Sequence, residues 1–199
     1  MNTEPSATWR ASTPAEAAGW LAEARCDWWI AGGRAIDLHL GARTREHGDL
    51  DVGCFREDWP AMREALVGWH CCSAGNGVLT PIAEGDAPLA AANQVWCHPV
   101  NDARWHLELT FDERENDEWI YRRDARIRLP RSRLVHRSDD GIPYLRPEIQ
   151  LLYKAKATRP KDDADFLRAL PRLGEDERTW LARALDTCHP GHAWRERLG

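Results

Sequence analysis

Apolar and polar positions along this chain keep two different rhythms, and the change from one to the other outlines its organisation. Thr13-Pro14-Ala15-Glu16 predicts a helix start, with Thr13 at the N-cap, Pro14 at the first helical position and Glu16 closing a capping box. That helix is expected to reach about Ala24. Trp28-Trp29-Ile30-Ala31 is a short apolar run ending in Gly32-Gly33, the pattern of a buried strand running into a turn. Ala35, Ile36, Leu38 and Leu40 follow, and Gly41 is placed to end a short helix in the left-handed region. Leu50, Val52 and Cys54 then alternate with Asp49, Asp51 and Gly53, which predicts a half-buried strand. Asp58 is placed to cap a helix carrying Met62, Leu66 and Val67, and residues 1–12, polar and small, read as frayed.

The middle of the chain is strand-like. Val95-Trp96-Cys97 and the run from Trp105 to Phe111 alternate with period two, and Ile120 to Leu129 predicts a further strand, broken by Pro130. Residues 73–93, with Gly75, Gly77, Pro81, Gly85 and Pro88, read as loop. From Pro147 the spacing becomes helical, over Ile149, Leu151, Leu152 and Ala155, then Asp162–Leu170, then Glu175–Leu185. The expected organisation is therefore an α/β portion over residues 1–146 and a helical portion over 147–199, able to share one core.

A chain of 199 residues can bury a core without staples. Lys and Arg number 27 against 32 Asp and Glu, a net charge of −5, which argues against a protein that lives on nucleic acid through bulk charge. A small anionic ligand held by a few placed cations stays compatible with that balance. No apolar run approaches the roughly 20 residues of a membrane span, and the first ten residues lack the basic and apolar segments of a signal peptide. A cytoplasmic protein is the expectation. The six cysteines lack paired ligand spacing, so Cys71, Cys72, Cys97 and His98 read as reduced core and its edge rather than a zinc site. Cys188-His189-Pro190-Gly191-His192 reads as a helix end and turn, Asp112–Glu118 as a solvated acidic loop, and the 11 tryptophans as core or pocket wall.

Chemistry concentrates between Gly32 and Asp51. On a strand, Asp49 and Asp51 would project on one side about 6–7 Å apart. Carboxylates so close repel unless a cation joins them, and Mg²⁺ suits such oxygen ligands while keeping positions for water and phosphate. The strand–Gly-Gly–helix junction would offer unobstructed backbone N–H groups to phosphate oxygens, and Arg34 and Arg45 are candidates to fork onto the same anion.

The run GGRAIDLHLGARTREHGDLDV resembles the signature of the polymerase-β-like nucleotidyltransferase superfamily. It is similar in particular to the aminoglycoside and lincosamide nucleotidyltransferases, whose motif reads approximately GG-x-A-x-D-x-x-x-G-x-x-T-R-x-H-x-D-x-D. Every fixed position is present, over residues 28–55; the position after Gly33, often Trp in those relatives, is Arg34 here. The resemblance implies an α+β fold with a mixed β-sheet flanked by helices and a C-terminal helical portion. It also implies two Mg²⁺ ions on Asp49 and Asp51, and transfer of a nucleoside monophosphate, AMP by preference, from a nucleoside triphosphate to a small hydroxylated acceptor. A third carboxylate on a neighbouring strand is implied too. Glu108, on the polar face of Trp105–Phe111, is the candidate for it and for the base, with Asp112 as the alternative. Gly32, Gly33, Arg34, Arg45 and Lys154 are the nucleotide-binding candidates, and Lys156 and Lys161 belong to the same Lys-rich stretch, from which a side chain would reach the triphosphate. Asp162 or Asp165 would tie helices together. Asp37 is open between ligand and partner of Arg34 or Arg45, and His47 reads as a loop brace. Two other readings stand beside this one: a degenerate nucleotide-binding or toxin–antitoxin module, and a metal-dependent phosphohydrolase using His47, Asp49 and Asp51.

Overall fold

The computed structural model describes residues 8–199. In chain order the elements are α1 (Pro14–Trp20), β1 (Trp28–Ile30), α2 (Gly32–Leu40), β2 (Asp51–Phe55), α3 (Trp59–Ala65), β3 (Trp69–Gly75), β4 (Val78–Pro81) and β5 (Gln94–Pro99). They continue as β6 (Leu107–Glu115), β7 (Glu118–Ile120), β8 (Arg128–Pro130), β9 (Val135–Arg137), β10 (Pro143–Leu145), α4 (Pro147–Ala155), α5 (Pro160–Ala169) and α6 (Glu175–Cys188). The fold is mixed α+β, in two compact units: one takes the chain up to Ile30 with Glu46–Arg114, the other Ala31–Arg45 with Glu115–Gly199. The division does not follow a single cut near residue 146, because α2 packs with α4 and α5.

In the first unit the strands run in the order β4-β3-β5-β6-β2-β1. β2 and β6 are parallel and the other pairs antiparallel, so the sheet is mixed. Alternation along each strand sorts the side chains into two faces. Val52, Cys54, Val95, Cys97, Leu107, Leu109 and Phe111 make the apolar one, all buried. α3 adds Trp59 and Met62 to that core, with Trp59 edge-on to Phe111 at a centroid distance of 6.2 Å. The other face carries Gln94, Trp96 and His98 from β5, Glu108, Thr110 and Asp112 from β6, and Asp51 and Gly53 from β2. Gly53 faces Trp29 across the β1–β2 pair, and a Cβ there would lie 2.0 Å from the indole Nε1, so only glycine admits this approach.

In the second unit α4 and α6 pack on Ile149, Leu151, Leu152, Leu181 and Leu185, all buried, and Phe166 stacks on Trp194 at 4.5 Å. β9 and β10 form one hairpin and β7 and β8 another. The three C-terminal helices fall where the helical spacing places them.

Several expectations need correction. α1 has its capping box but stops at Trp20, where the chain turns through Leu21. Residues 73–93 are not all loop: β3 and β4 form a hairpin through Asn76 and Gly77, both at positive φ. Ile120–Leu129 is not one strand, because Tyr121 and Ile127 pair across a turn that folds β8 back on β7. Asp58 sits at the N-cap of α3 without a side-chain cap and pairs instead with Arg114 at 3.2 Å. The acidic run begins inside β6, with Asp112 buried, Glu113 on Arg56 and Glu115 on Arg128. Of the stretch read as frayed, residues 1–7 lie outside the described residues. Thr8 to Arg10 are held, exchanging backbone hydrogen bonds with Trp105.

Candidate active site

The first unit brings Asp51 and Glu108 side by side. They are register partners in the parallel β2–β6 pair, and so share a face on strands about 4.8 Å apart. The same cross-strand row continues to Trp96, which faces Glu108 from β5, and to Cys72, which faces Trp96 from β3. Asp49 is exposed and precedes β2 rather than lying in it. Leu50, between the two aspartates, still belongs to the ladder, since its carbonyl accepts from the Glu108 N–H at 2.9 Å. Asp112 lies opposite Phe55, one register step beyond Gly53–Thr110 and Cys54–Phe111. That puts it about 13 Å along β6 from Glu108. Glu108 is thus the carboxylate that the sheet places beside Asp51.

Glu108 is buried and both of its oxygens are held by neutral donors: Trp96 Nε1 reaches Oε2 at 2.8 Å, and Gln94 Nε2 donates to Oε1. Burial, then the charge of Asp51, pushes its carboxyl up to about 8; Asp49 adds to the rise, and the bonds from Trp96 and Gln94 oppose it. Among the described residues no three His, Cys, Asp or Glu side chains already enclose a point as a metal cage. Mg²⁺ does not require one, since it keeps several waters and takes one or two carboxylates. The donors here are oxygens only, and a divalent cation would relieve the repulsion that raises Glu108, so the set fits Mg²⁺. His189 and Gly191 form the turn that ends α6.

The second unit holds the glycine bend. Gly32, at φ 65°, begins α2, whose N-cap Ala31 has no side chain to cap it. The Gly32 N–H donates to Gln150 Oε1 of α4 at 2.7 Å, so the expectation of an unobstructed amide is corrected at this residue. Gly33 and Arg34 are buried in the first turn. Asp37 braces the loop after α2: its Oδ1 accepts from the Thr44 N–H at 3.0 Å and the Thr44 hydroxyl at 2.6 Å. Arg45 forks onto the two oxygens of Asp165, each at 3.2 Å. Lys154, buried on α4, bridges Asp162 at 2.9 Å and Asp165 at 3.0 Å on α5. Burial alone would raise both aspartates, but Arg159 and Lys154 at Asp162, and Arg45 and Lys154 at Asp165, outweigh it and hold both below the usual carboxylate range. Arg45 and Lys154 therefore stand in an ion cluster that ties α4, α5 and the segment after α2. Back in the first unit, His47 is buried beside the aspartate segment in sequence.

Gln94, Trp96 and Gln150 carry no motif and were not among the sequence candidates. The signal for the first two was the β5 alternation read together with its pairing to β6, which single-strand periodicity does not contain.

A family model described as aminoglycoside-2''-adenylyltransferase matches residues 16–80, which include the whole glycine-to-aspartate run. No curated protein matches the chain. Among solved structures, the lincomycin-bound lincosamide antibiotic adenylyltransferase LnuA is similar with a TM-score of 0.55 at 15% identity, over 80% of this chain and 97% of that one. The antibiotic-resistance factor ANT(2'')-Ia in solution is similar with a TM-score of 0.56 at 17% identity, over 85% and 86%. Its crystal structure with adenylyl-2''-tobramycin gives 0.55 at 15%, over 85% and 92%. The fold is that of these nucleotidyltransferases. The resemblance read from the motif is to the same antibiotic-modifying branch.

Proposed function

We propose that the protein is a Mg²⁺-dependent nucleotidyltransferase that moves a nucleoside monophosphate, AMP by preference, from a nucleoside triphosphate to a hydroxyl of a small molecule. The observation that carries the reading is the register pairing of Asp51 with Glu108 on parallel strands, with Asp49 two residues upstream. Asp49, Asp51 and Glu108 would hold the two ions expected, which supply charge neutralisation of the triphosphate and of the entering and leaving oxygens. Glu108, oriented by Trp96 and Gln94, accepts the proton of the acceptor hydroxyl. That oxygen attacks the α-phosphorus in line, the bond to the bridging oxygen breaks, and pyrophosphate leaves. By resemblance, Gly33 and Arg34 of the bend contact the triphosphate, with Gly32 shaping the turn. Arg45 and Lys154 serve that element as braces through Asp165.

The acceptor class rests on the relatives: LnuA holds lincomycin and ANT(2'')-Ia an adenylylated tobramycin. A sugar-bearing antibiotic is the proposed acceptor. The test is incubation with each of four nucleoside triphosphates, Mg²⁺ and a panel of hydroxylated acceptors, read by mass spectrometry, with Asp51→Asn as control. The expected result is a nucleoside-monophosphate adduct and pyrophosphate with the native chain only. Release of inorganic phosphate would instead indicate a phosphohydrolase, and Mg²⁺-dependent nucleotide binding with no adduct would indicate a binding module.

A further inference from the structure

Glu108 reaches Asp51 on one side, but its orientation is set from the other. β5 lays Trp96 directly opposite Glu108 and Gln94 opposite Thr110, on the same face of the sheet. From there each sends one N–H to a different oxygen of the Glu108 carboxylate. A carboxylate has about four lone-pair sites, so two donors fix the plane of the group and leave two sites for a cation. The indole is itself fixed: Trp96 stands edge-on between Trp9, at a centroid distance of 5.0 Å, and Trp105, at 5.7 Å. Trp9 is tied to Trp105 by a backbone bridge, and Trp105 is buried. The chain of support therefore runs from the N-terminal segment through two tryptophans to one carboxylate oxygen.

We infer that Trp96 and Gln94 are positioning residues, which hold the Glu108 carboxylate in the orientation that receives the divalent cation. The inference rests on the proposed nucleotidyl transfer and deepens it: it assigns work to β5, which carries none of the family motif. Groups that hold a ligand without touching the metal commonly change metal affinity by roughly 10- to 100-fold when removed. A purely structural role would act on stability instead. Trp96→Phe separates these, since it keeps an aromatic ring between Trp9 and Trp105 while removing the N–H along with the second ring of the indole, and Gln94→Leu removes the other donor without touching that stack.

The experiment titrates the full-length chain with Mn²⁺ alone, followed by electron paramagnetic resonance, for the native protein, Trp96→Phe, Gln94→Leu, Glu108→Gln, and each β5 variant combined with Glu108→Gln. Thermal melts accompany each titration. The expected result is a roughly 10- to 100-fold weaker Mn²⁺ affinity in each β5 variant at unchanged melting temperature, and no further loss when Glu108→Gln is already present, because the two then act through one group. In turnover with a competent acceptor, the same variants lower kcat and leave KM for the nucleotide unchanged. If Glu108→Gln weakens Mn²⁺ binding and neither Trp96→Phe nor Gln94→Leu does, the positioning role is overturned and the transfer reading stands. If Glu108→Gln itself leaves Mn²⁺ binding unchanged, the metal reading and the inference both fall. Should Trp96→Phe lower the melting temperature, Gln94→Leu decides.

Discussion

Two buried carboxylate clusters, one from each unit, have opposite electrostatics. In the second unit Asp162 and Asp165 are buried against Lys154, Arg45 and Arg159, and both carboxyls are held low. In the first unit Glu108 is buried against Asp51 with only neutral donors on its own oxygens, and it is pushed up to about 8. Both clusters lie in buried sheet or helix surroundings, so burial alone does not separate them. The charge of the neighbours does. A cluster that brings its own cations is a brace; a cluster that gathers like charges at a cost to the fold is arranged for a cation from outside.

Changing one carboxylate in each cluster should therefore have opposite consequences. The largest effect is expected on catalysis: Asp51→Asn should lower adduct formation by at least the roughly 10²–10⁴-fold that loss of a positioned catalytic group costs. Its metal-free melting temperature should not fall, and relief of repulsion predicts a small rise. Asp165→Asn should do the reverse. It leaves Arg45 without its carboxylate and Lys154 with Asp162 alone, and since breaking a buried pair from one side costs up to about 3–5 kcal/mol, the loss should be measurable by urea unfolding. Equal destabilisation by the two substitutions would erase the distinction between the clusters.

Gly53→Ala tests whether the sheet around the carboxylate row is as tight as its geometry indicates. The added Cβ would meet the Trp29 indole at 2.0 Å, and forced overpacking of this kind costs about 1–3 kcal/mol. An unchanged unfolding midpoint would show that Trp29 moves freely.

In the pH dependence of stability the clusters again differ in sign. Glu108 has a folded value of about 8 against an ordinary 4.5, so its protonated form stabilises the metal-free fold below about 4.5, and that contribution is lost as pH rises towards 8. Asp162 and Asp165 are held below their ordinary 3.8, so their contribution is present above it and is lost as pH falls further. Metal-free melts between pH 5 and 8 should decline with pH in the native chain, and Glu108→Gln should flatten that decline.

How much of this was readable in the sequence follows from the range of each signal. Local chemistry was: Thr13, Pro14 and Glu16 start α1, Gly41 ends α2 at φ 69°, and the C-terminal helices keep their spacing. The glycine bend and the two aspartates were legible because a motif packs them into about twenty residues. Glu108 was legible as a polar residue on an alternating strand, though its position opposite Asp51 depends on a parallel pairing between segments more than fifty residues apart. Pairing of that kind is not written in either strand alone. The same limit hid Gln94 and Trp96, and the engagement of Gly32 by Gln150, where a side chain 118 residues away takes an amide that the local sequence leaves open. The β3–β4 hairpin had a local signal in Asn76-Gly77. It was outweighed by the glycines and prolines around it.

The most direct measurement of the central claim is the melting temperature of the metal-free chain as Mg²⁺ is added at pH 8, for the native protein and for Asp51→Asn. The account predicts a saturable rise in the native chain, as a ligand that binds only the folded state requires, and none in the variant. The same rise in both would contradict it.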